Sequence, residues 1–250
     1  MWPYPKIVAH RGGGALAPEN TFAALRCGLA HGYRAVEFDV MLSRDGVGVV
    51  LHDPDLGRTV SGAGSVAHYT AGALAQMDAG SWFGVEFAHE KVPLFTPFMD
   101  YCKAQQIWMN IEIKPVPGFE AATGRVVAAA VQTHFAAELA AGARARMPLL
   151  SSFCAIALAA ARQAAPGLPR ALLVERIPAD WQARLRALDA CALHASHQHV
   201  TPALAQAVRQ AGFGLFCYTV NEPRRAREIL AWGVDGLCTD RIDLIGPAFA

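Results

Sequence analysis

Net charge is nearly absent from this sequence of 250 residues, in which 22 lysines and arginines stand against 21 aspartates and glutamates. Binding to a polyanion needs an excess of positive charge on one surface, so nucleic acid is not expected as a partner. Charged residues make up only 17% of the chain and hydrophobic residues 53%. That proportion excludes a disordered protein, because the chain can bury a large apolar core.

The sequence also lacks a long apolar run. A membrane helix needs about 18 consecutive apolar residues, and polar residues interrupt the longest candidate, from Val126 to Ala143. The N-terminus shows no basic stretch followed by an apolar segment and a small-residue cleavage site, which are the marks of a secretory signal. We therefore expect no stable membrane insertion and a cytoplasmic location.

Paired cysteines are missing as well. The chain has six cysteines, but they are far apart and form no CxxC pair. A zinc ribbon needs such pairs, and a disulfide framework is typical of short secreted chains. Reduced thiols buried among apolar side chains are the expected state of these cysteines.

Short apolar segments rich in branched residues alternate with longer segments rich in alanine and leucine. The pattern predicts strands at Ile7–His10, Ala35–Val40, Trp108–Lys114, Pro148–Phe153, Arg170–Glu175, Ala192–Ser196, Leu215–Val220 and Gly236–Thr239. Helical segments lie between them, and eight strand–helix units are typical of an α/β protein with a (β/α)8 TIM barrel. An open doubly wound sheet is the alternative, although no GxGxxG motif follows the first strand. We expect a single barrel domain over residues 1–250.

The predicted helices have recognisable ends. Asn20, Thr201 and Asn221 lie where a helix N-cap is expected, and an early proline follows the last two. One long helix is predicted over Phe119–Ala141, and a short last helix is predicted to begin at Arg241.

A turn sequence, rather than a helix, follows the second strand. Arg44-Asp45-Gly46 stands between two extended runs, and Asp-Gly in that setting indicates a β-hairpin. The returning strand would bring His52 back to about the level of Asp39. Residues 53–93 then have no strong periodicity, and an aperiodic segment of that length is more often a functional insertion than a linker. We expect residues 53–93 to form a small cap on the catalytic face.

Three acidic side chains stand near the carboxyl ends of the second and third barrel strands. Glu37 and Asp39 are two residues apart and share one face of a strand, and Glu112 is on the next strand. Barrel enzymes place their sites at this end. Converging carboxylates repel one another unless a cation lies between them, and an oxygen-only ligand set favours Mg²⁺ or Ca²⁺ over zinc. We predict one divalent metal ion held by these three residues.

Basic and titratable side chains stand at the same strand ends. Arg11 and Lys114 would add positive charge beside the metal, a combination that suits a phosphate group. His10 and His52 can act as general acid and base, because histidine titrates near neutral pH. A single strand-end residue of this kind is more often an ordinary hydrogen-bonding group. Seven together favour a site, because unpaired buried charges are costly, and they predict metal-assisted cleavage of a phosphate ester.

Other residues carry weaker signals with two interpretations each. His194, His197 and His199 could be a metal cluster, but no acidic residue lies nearby in the sequence, and one of them could instead contact substrate. Gly12-Gly13-Gly14 either lets backbone amides approach a phosphate or forms only a tight turn. Trp82-Phe83 is either a substrate lid or the core of the inserted segment.

A series of short motifs runs the length of the chain. They are His10-Arg11-Gly12, Ala17-Pro18-Glu19-Asn20-Thr21, Glu37-Phe38-Asp39-Val40, Asp45-Gly46, His52-Asp53, Asp78-Ala79-Gly80-Ser81-Trp82-Phe83, Ile111-Glu112-Ile113-Lys114, Tyr218-Thr219-Val220-Asn221 and Gly233-Val234-Asp235-Gly236 with Thr239-Asp240. In this order they resemble the glycerophosphodiester phosphodiesterase family. Trp2–Pro5, Ser151–Phe153 and Asp243–Pro247 are most similar to the bacterial cytoplasmic members linked to glycerol-3-phosphate uptake.

The resemblance implies a TIM-barrel hydrolase that converts glycerophosphodiesters, such as glycerophosphocholine or glycerophosphoethanolamine, into sn-glycerol 3-phosphate and an alcohol. It gives the metal, acid–base and phosphate-binding roles to the same seven residues and the family's inserted region to residues 53–93. Two departures from the family pattern, Tyr218 in place of tryptophan and His89 in place of glycine, are expected to affect which alcohol fits.

Two other functions would use the same residues. A lysophospholipase D-like or phospholipase C-like enzyme would share the barrel, metal and histidines. It would also need an apolar or basic membrane-facing patch, which the sequence does not indicate. A non-catalytic glycerophosphodiester sensor would usually have lost a metal ligand or a histidine, and none is missing. We expect a small-molecule substrate. A homo-oligomer is also compatible with the sequence, because homo-oligomers are common among soluble enzymes.

Overall fold

Eight parallel strands close into a barrel in the computed structural model, which describes residues 2–249. A ninth strand, β3, is antiparallel to β2. The strands are β1 (Ile7–Ala9), β2 (Ala35–Leu42), β3 (Gly48–Val50), β4 (Trp108–Ile113), β5 (Leu149–Ser152), β6 (Arg170–Val174), β7 (Ala192–Ser196), β8 (Gly214–Tyr218) and β9 (Gly236–Thr239). The helices are α1 (Phe22–Ala30), α2 (Ala71–Leu74), α3 (Phe95–Ala104), α4 (Glu120–His134), α5 (Ala136–Ala140), α6 (Ala155–Ala164), α7 (Trp181–Leu188), α8 (Pro202–Gln210) and α9 (Pro223–Ala231).

The ring of strands is closed at β1, which pairs with both β2 and β9. Around the barrel the order is β1, β2, β4, β5, β6, β7, β8 and β9, and all these pairs are parallel. The predicted (β/α)8 barrel is therefore confirmed, and the open doubly wound sheet is wrong. Closure removes the exposed strand edges that an open sheet would present.

The alternation of side chains along β2 and β4 separates the core from the site. Val36, Phe38 and Ile111 point outward into the apolar layer between barrel and helices, whereas the residues between them point into the barrel. At the amino-terminal end of the barrel, the Trp2 ring stacks on Phe216 with centroids 5.9 Å apart. Polar groups are thus left to the carboxyl end of the barrel interior.

Two of the predicted helices differ from the observed ones. The long helix breaks at Phe135, whose backbone leaves the helical conformation (φ −114°, ψ 24°) while its ring is buried in the core. Burial of this ring therefore outweighs the continuous helical pattern of the sequence. The short helix predicted from Arg241 is also wrong, because residues 241–249 form turns and irregular backbone.

The predicted hairpin is present, with Val40 opposite Val50 and Leu42 opposite Gly48. The backbone N–H of Leu51 donates to the carbonyl of Asp39 at 3.2 Å, which brings His52 to the level of Asp39. Residues 53–93 pack on the outer side of this hairpin around an apolar cluster of their own. That cluster, here called the insert core, includes Met41, Val49, Leu51, Leu56, Val60, Val66, Leu74 and Val92.

Glu90 links the end of the same segment to α1. Its side chain is buried, accepts a hydrogen bond from the backbone N–H of Ala23 at 3.2 Å, and forms an ion pair with Arg26. A carboxylate is favourable at this end of a helix, where backbone N–H groups lack partners. The segment is therefore fixed to the barrel at both ends. Among the residues that the structure describes, no helix is long and apolar enough to cross a membrane.

Candidate active site

Glu37, Asp39 and Glu112 converge in the mouth of the barrel. The register of β2 and β4 places Asp39 opposite Glu112 and Glu37 opposite Asn110. One carboxylate oxygen from each of the three acids lies within 4.8 Å of the others, and all three side chains are buried. Within residues 2–249 this is the one group of three or more His, Cys, Asp or Glu residues with such geometry.

Burial and mutual repulsion act on the protonation of these acids. Burial, together with the charge of Asp39, raises the pKa of Glu37 to about 7 and that of Glu112 to about 8. Asp39 is equally buried, but the charges of Lys114 and Arg11 keep its pKa below the usual value. The chain's own cations thus compensate one carboxylate well and leave the other two in need of positive charge. A divalent cation fits this donor set, because buried carboxylates are its preferred ligands.

Two basic side chains flank the acidic trio. Lys114 Nζ lies 3.5 Å from Asp39 Oδ1 and 3.5 Å from Glu112 Oε1. Arg11 Nε lies 3.6 Å from Asp39 Oδ2, and the Arg11 backbone N–H donates to Glu37 Oε2 at 3.2 Å. Both cations also border the cavity that Glu37 and Glu112 line, where they are placed to contact a bound anion.

His10 follows β1 and is held from behind by Asp240, which follows β9. Its Nδ1 lies 2.6 Å from Asp240 Oδ1, and its Nε2 lies 3.7 Å from Glu37 Oε2. Burial lowers the pKa of His10, but the hydrogen bond with Asp240 and the charge of Glu37 outweigh it, so the pKa is raised. Asn221 holds Asp240 in turn, donating from Nδ2 to Oδ2 at 2.9 Å.

His52 has a matching arrangement at the end of the hairpin. Its Nδ1 lies 2.6 Å from Asp53 Oδ1, so the other ring nitrogen is free to act in the cavity. Burial lowers the pKa of His52, and the charges of Arg11 and Lys114 act in the same direction against the attraction of Asp39. The two histidines thus share one geometry but have opposite pKa shifts.

Two asparagines expected at helix N-caps serve the site instead. Asn20 donates from Nδ2 to Asp39 Oδ2 at 2.9 Å, and the N-cap of α1 is Thr21, whose hydroxyl accepts from Ala24 N–H. Asn221 holds Asp240. The expected N-cap positions of Asn20 and Asn221 are therefore wrong by one residue, whereas Thr201 caps α8 as predicted.

A second layer of charged residues lies behind Arg11 and His52. Arg11 Nη1 donates to Glu19 Oε1 at 2.7 Å, and Arg58 from the inserted segment donates to the same carboxylate. Arg58 Nε also donates to Asp53 Oδ2 at 2.6 Å. Sequence reasoning missed the parts played by Asp240, Asp53 and Arg58; for Asp240 and Asp53 the signal was their place in the motifs Thr239-Asp240 and His52-Asp53.

The site opens into a cavity of about 280 Å³. Phe153 and Tyr218 line it at van der Waals range of each other, with ring centroids 5.7 Å apart, and the Tyr218 hydroxyl donates to Val174 O at 2.8 Å. A second cavity, of about 440 Å³, lies at the opposite end of the barrel beside Trp2 and Arg170. It contains none of the seven residues predicted for the site.

His194 lines the active-site cavity, but its ring is buried against Trp2 and Phe216. His199 faces Glu175 at 3.4 Å, and neither it nor His197 joins His194 in a group that could hold a metal among the described residues. The metal interpretation of these three histidines is therefore wrong.

Trp82 and Phe83 form a partly exposed aromatic cluster with Phe87, outside both the cavity lining and the insert core. Neither of the two interpretations offered for this pair describes that position.

The three glycines after Arg11 make a close-packed turn. Gly14 has φ +56°, its N–H donates to His10 O at 2.9 Å, and a Cβ added to it would lie 2.2 Å from the carbonyl oxygen of Asp240. The backbone here is packed against the residue that holds His10. Of the two interpretations of these glycines, the tight turn describes the contacts observed.

Replacing Gly14 with alanine is expected to lower the free energy of unfolding by about 1–3 kcal/mol, because the new methyl group would overlap the Asp240 backbone. Gly46→Ala is the matched control, since Gly46 has φ +75° with no atom within 4 Å of the added Cβ. Urea unfolding of both variants measures the difference. Equal losses would mean that backbone conformation alone, and not the contact with Asp240, makes Gly14 necessary.

The sequence of this chain matches that of a known protein family. A model described as the glycerophosphoryl diester phosphodiesterase family matches residues 10–244. The chain belongs to this family. Its members are divalent-metal-dependent enzymes, and the acidic trio is the group of described residues that could bind such an ion.

Individual phosphodiesterases match over nearly the whole chain. A glycerophosphodiester phosphodiesterase from Caldanaerobacter subterraneus subsp. tengcongensis is 31% identical over 239 residues, which are 94% of this chain and 93% of that protein. A phosphodiesterase from Oleispira antarctica, solved with the product sn-glycerol-3-phosphate, superposes with a TM-score of 0.86 at 33% identity, covering 94% of this chain and 93% of that one. A putative glycerophosphoryl diester phosphodiesterase from Silicibacter pomeroyi gives a TM-score of 0.81 at 25% identity, covering 95% and 90%. The enzyme class of this chain is therefore glycerophosphodiester phosphodiesterase.

Proposed function

We propose that this phosphodiesterase hydrolyses small glycerophosphodiesters, such as glycerophosphocholine or glycerophosphoethanolamine, to sn-glycerol 3-phosphate and an alcohol by metal-dependent His/His catalysis. The observation that carries the proposal is one cavity lined by two acids of the buried carboxylate trio, two cations and two histidines, each histidine with a carboxylate behind its Nδ1. Product binding by the Oleispira antarctica relative is consistent with this substrate class.

Glu37, Asp39 and Glu112 would hold one divalent ion, Mg²⁺ or Ca²⁺. Such an ion supplies a positive charge that polarises a phosphate oxygen and offsets the charge that develops as the P–O bond breaks. Binding of the metal ion should strengthen as the pH rises, because two of the three acids have raised pKa values and must lose their protons to act as ligands.

Arg11 and Lys114 are the proposed phosphate-binding residues. Each lies against Asp39, and both border the cavity. Their charges bind the diester phosphate and remain in contact with it as negative charge increases in the transition state.

His10 and His52 are the proposed acid–base pair. The raised pKa of His10 suits it to carry a proton and donate it to the departing alcohol, and the lowered pKa of His52 suits it to accept one from the nucleophile. That nucleophile is a water molecule or the 2-hydroxyl of the glycerol. Attack by the hydroxyl would give a cyclic phosphate, and its hydrolysis would use the two histidines in exchanged roles.

Phe153 and Tyr218 are proposed to receive the alcohol at the cavity mouth. Their edge-to-face rings present an apolar surface, and the face of an aromatic ring also attracts a cationic choline or ethanolamine group. His89, the other departure from the family pattern, is largely exposed and does not line the cavity. We therefore assign the choice of alcohol to Tyr218 rather than to His89.

Residues 53–93 are proposed as a cap of the single barrel domain, because Arg58 reaches from them to the back of the site.

The cytoplasmic location, the link to glycerol-3-phosphate uptake and a homo-oligomer stay predictions from the sequence. A lipid phosphodiesterase and a non-catalytic sensor are the two alternatives, and turnover and binding measurements separate all three functions.

The purified protein is expected to release sn-glycerol 3-phosphate from glycerophosphocholine, to lose this activity in EDTA and to regain it with Mg²⁺ or Ca²⁺. The acidic trio leads to this expectation, because without a cation its members repel one another. Turnover of lysophospholipid alone would favour the lipid enzyme. Binding of glycerophosphocholine without turnover, in protein loaded with metal, would favour the sensor.

A further inference from the structure

Arg58 belongs to the inserted segment, but its guanidinium group contacts Glu19 and Asp53. These two carboxylates lie behind opposite sides of the site. Nη1 and Nη2 donate to the two oxygens of Glu19 at 2.8 and 2.7 Å, and Nε donates to Asp53 at 2.6 Å. Glu19 holds Arg11, and Asp53 holds His52. One side chain therefore joins the partner of the phosphate-binding arginine to the partner of a catalytic histidine.

The backbone around Arg58 fixes where the guanidinium group lies. Leu56 and Val60 on either side are buried in the insert core, and the Gly57 N–H donates to Val60 O at 2.8 Å across the turn. Gly57 has φ +132°, a conformation that favours glycine. The turn is thus anchored on both sides of Arg58, so less conformational freedom is lost when its side chain binds two carboxylates.

The geometry differs from that of an ordinary surface ion pair. Arg58 makes a bidentate contact with Glu19 and a third bond with Asp53, and planar, bidentate pairs of this kind are stronger and more directional than single contacts. Its side chain is 46% exposed, but those of Glu19 and Asp53 are only 13% and 25% exposed. Arg58, Arg11, Glu19 and Asp53 carry balanced charge, so loss of Arg58 leaves two carboxylates with one fixed cation between them.

We propose that Arg58 is a positioning residue that holds Arg11 and His52 in register through Glu19 and Asp53, so that the inserted segment sets the geometry of phosphate binding and proton transfer. The proposal rests on the proposed function, because it gives Arg58 its effect through two residues of that mechanism. Without Arg58, one oxygen of each carboxylate would return to water, and both carboxylates would be free to turn away from the site.

Arg58→Ala is expected to lower kcat/KM for glycerophosphocholine by about 10–100-fold, the range that loss of a residue orienting a site side chain costs. Because both sides of the site loosen, KM should rise and kcat should fall. Methylguanidinium added to Arg58→Ala should restore part of kcat, and Arg58→Lys should stay impaired, since a lysine cannot make the same fork of bonds. Arg44→Ala, at an exposed arginine in the β2–β3 turn, is the matched control.

An imidazole ¹⁵N NMR spectrum of His52 gives a readout that does not depend on turnover. In the wild-type protein we expect one Nδ1–H tautomer bound to Asp53, and in Arg58→Ala a mixture of tautomers. Wild-type kinetics together with an unchanged His52 spectrum in Arg58→Ala would overturn the proposal. So would a loss of activity that comes with lowered thermal stability and no rescue by methylguanidinium, because Arg58 would then only stabilise the fold. A wild-type protein inactive on glycerophosphodiesters would contradict the proposed function, while the NMR comparison would still decide the role of Arg58.

Discussion

Replacement of His10 or His52 with alanine is expected to lower kcat for glycerophosphocholine by about 10²–10⁴-fold, the range that removal of a general acid or base costs. Both rings lie in the active-site cavity with a carboxylate at Nδ1, which leaves the other ring nitrogen for proton transfer. His68→Ala is the matched control, since His68 is an exposed histidine of the inserted segment. Steady-state kinetics with metal present measure the effect, and near-wild-type turnover of either variant would contradict the two-histidine mechanism.

The leaving group separates the roles of the two histidines. A glycerophosphodiester of p-nitrophenol needs little help from an acid, because its leaving group departs without a proton at neutral pH. We expect His10→Ala to recover much of its activity on this substrate and His52→Ala to recover little, in agreement with the opposite pKa shifts of the two rings. The reverse pattern would exchange the two assignments and leave the pair intact.

The stability of the protein is expected to fall by about 2 kcal/mol between pH 7 and pH 5 through His194 alone. Burial lowers the pKa of this imidazole from 6.5 to about 3. The unfolded chain therefore takes up a proton as the pH falls through 6.5, whereas the folded chain stays neutral until about pH 3. Because the unfolded state binds more protons over this range, acid favours it, at about 1.4 kcal/mol per pH unit once the pH is below 6.5.

His194→Phe isolates this effect. Its ring would lie against Trp2 and Phe216, and it removes a buried Nε2 that has no hydrogen-bond partner. Urea unfolding at pH 7 and pH 5 should show a loss that is about 2 kcal/mol smaller in the variant than in the wild type. Equal pH dependence in both proteins would mean that the His194 ring reaches solvent or a proton acceptor in the folded state.

Local sequence patterns predict much of the barrel. The observed bounds of β7 and β9 are those predicted, because each strand is an apolar run between clear helix ends. The hairpin could be predicted from Asp45-Gly46, because this turn sequence stands between two extended runs. The convergence of Glu37, Asp39 and Glu112 needed only the two-residue repeat of a strand and the order of neighbouring strands.

Tertiary contacts account for what sequence patterns could not give. Asn20 and Asn221 satisfy the local rule for a helix N-cap, but each donates a hydrogen bond to a carboxylate that is distant in the sequence. A rule based on local sequence cannot include such a contact. Arg58 lies in a segment without hydrophobic periodicity and contacts Glu19, which is 39 positions earlier in the sequence. Neither periodicity nor motif spacing could therefore predict this contact. Phe135 breaks a helical pattern because its ring is drawn into the core.

The pairing of β1 with β9 has a consequence for protein synthesis. All seven residues predicted for the site lie between positions 10 and 114, but Asp240, which holds the His10 ring, follows the last strand. The His10 backbone N–H also donates to Thr239 on that strand, at 3.0 Å. Since a chain leaves the ribosome from its N-terminus, a growing polypeptide carries both histidines and the acidic trio long before His10 has its partner. Activity should therefore begin only after residues 236–240 have left the ribosome and β9 docks beside β1.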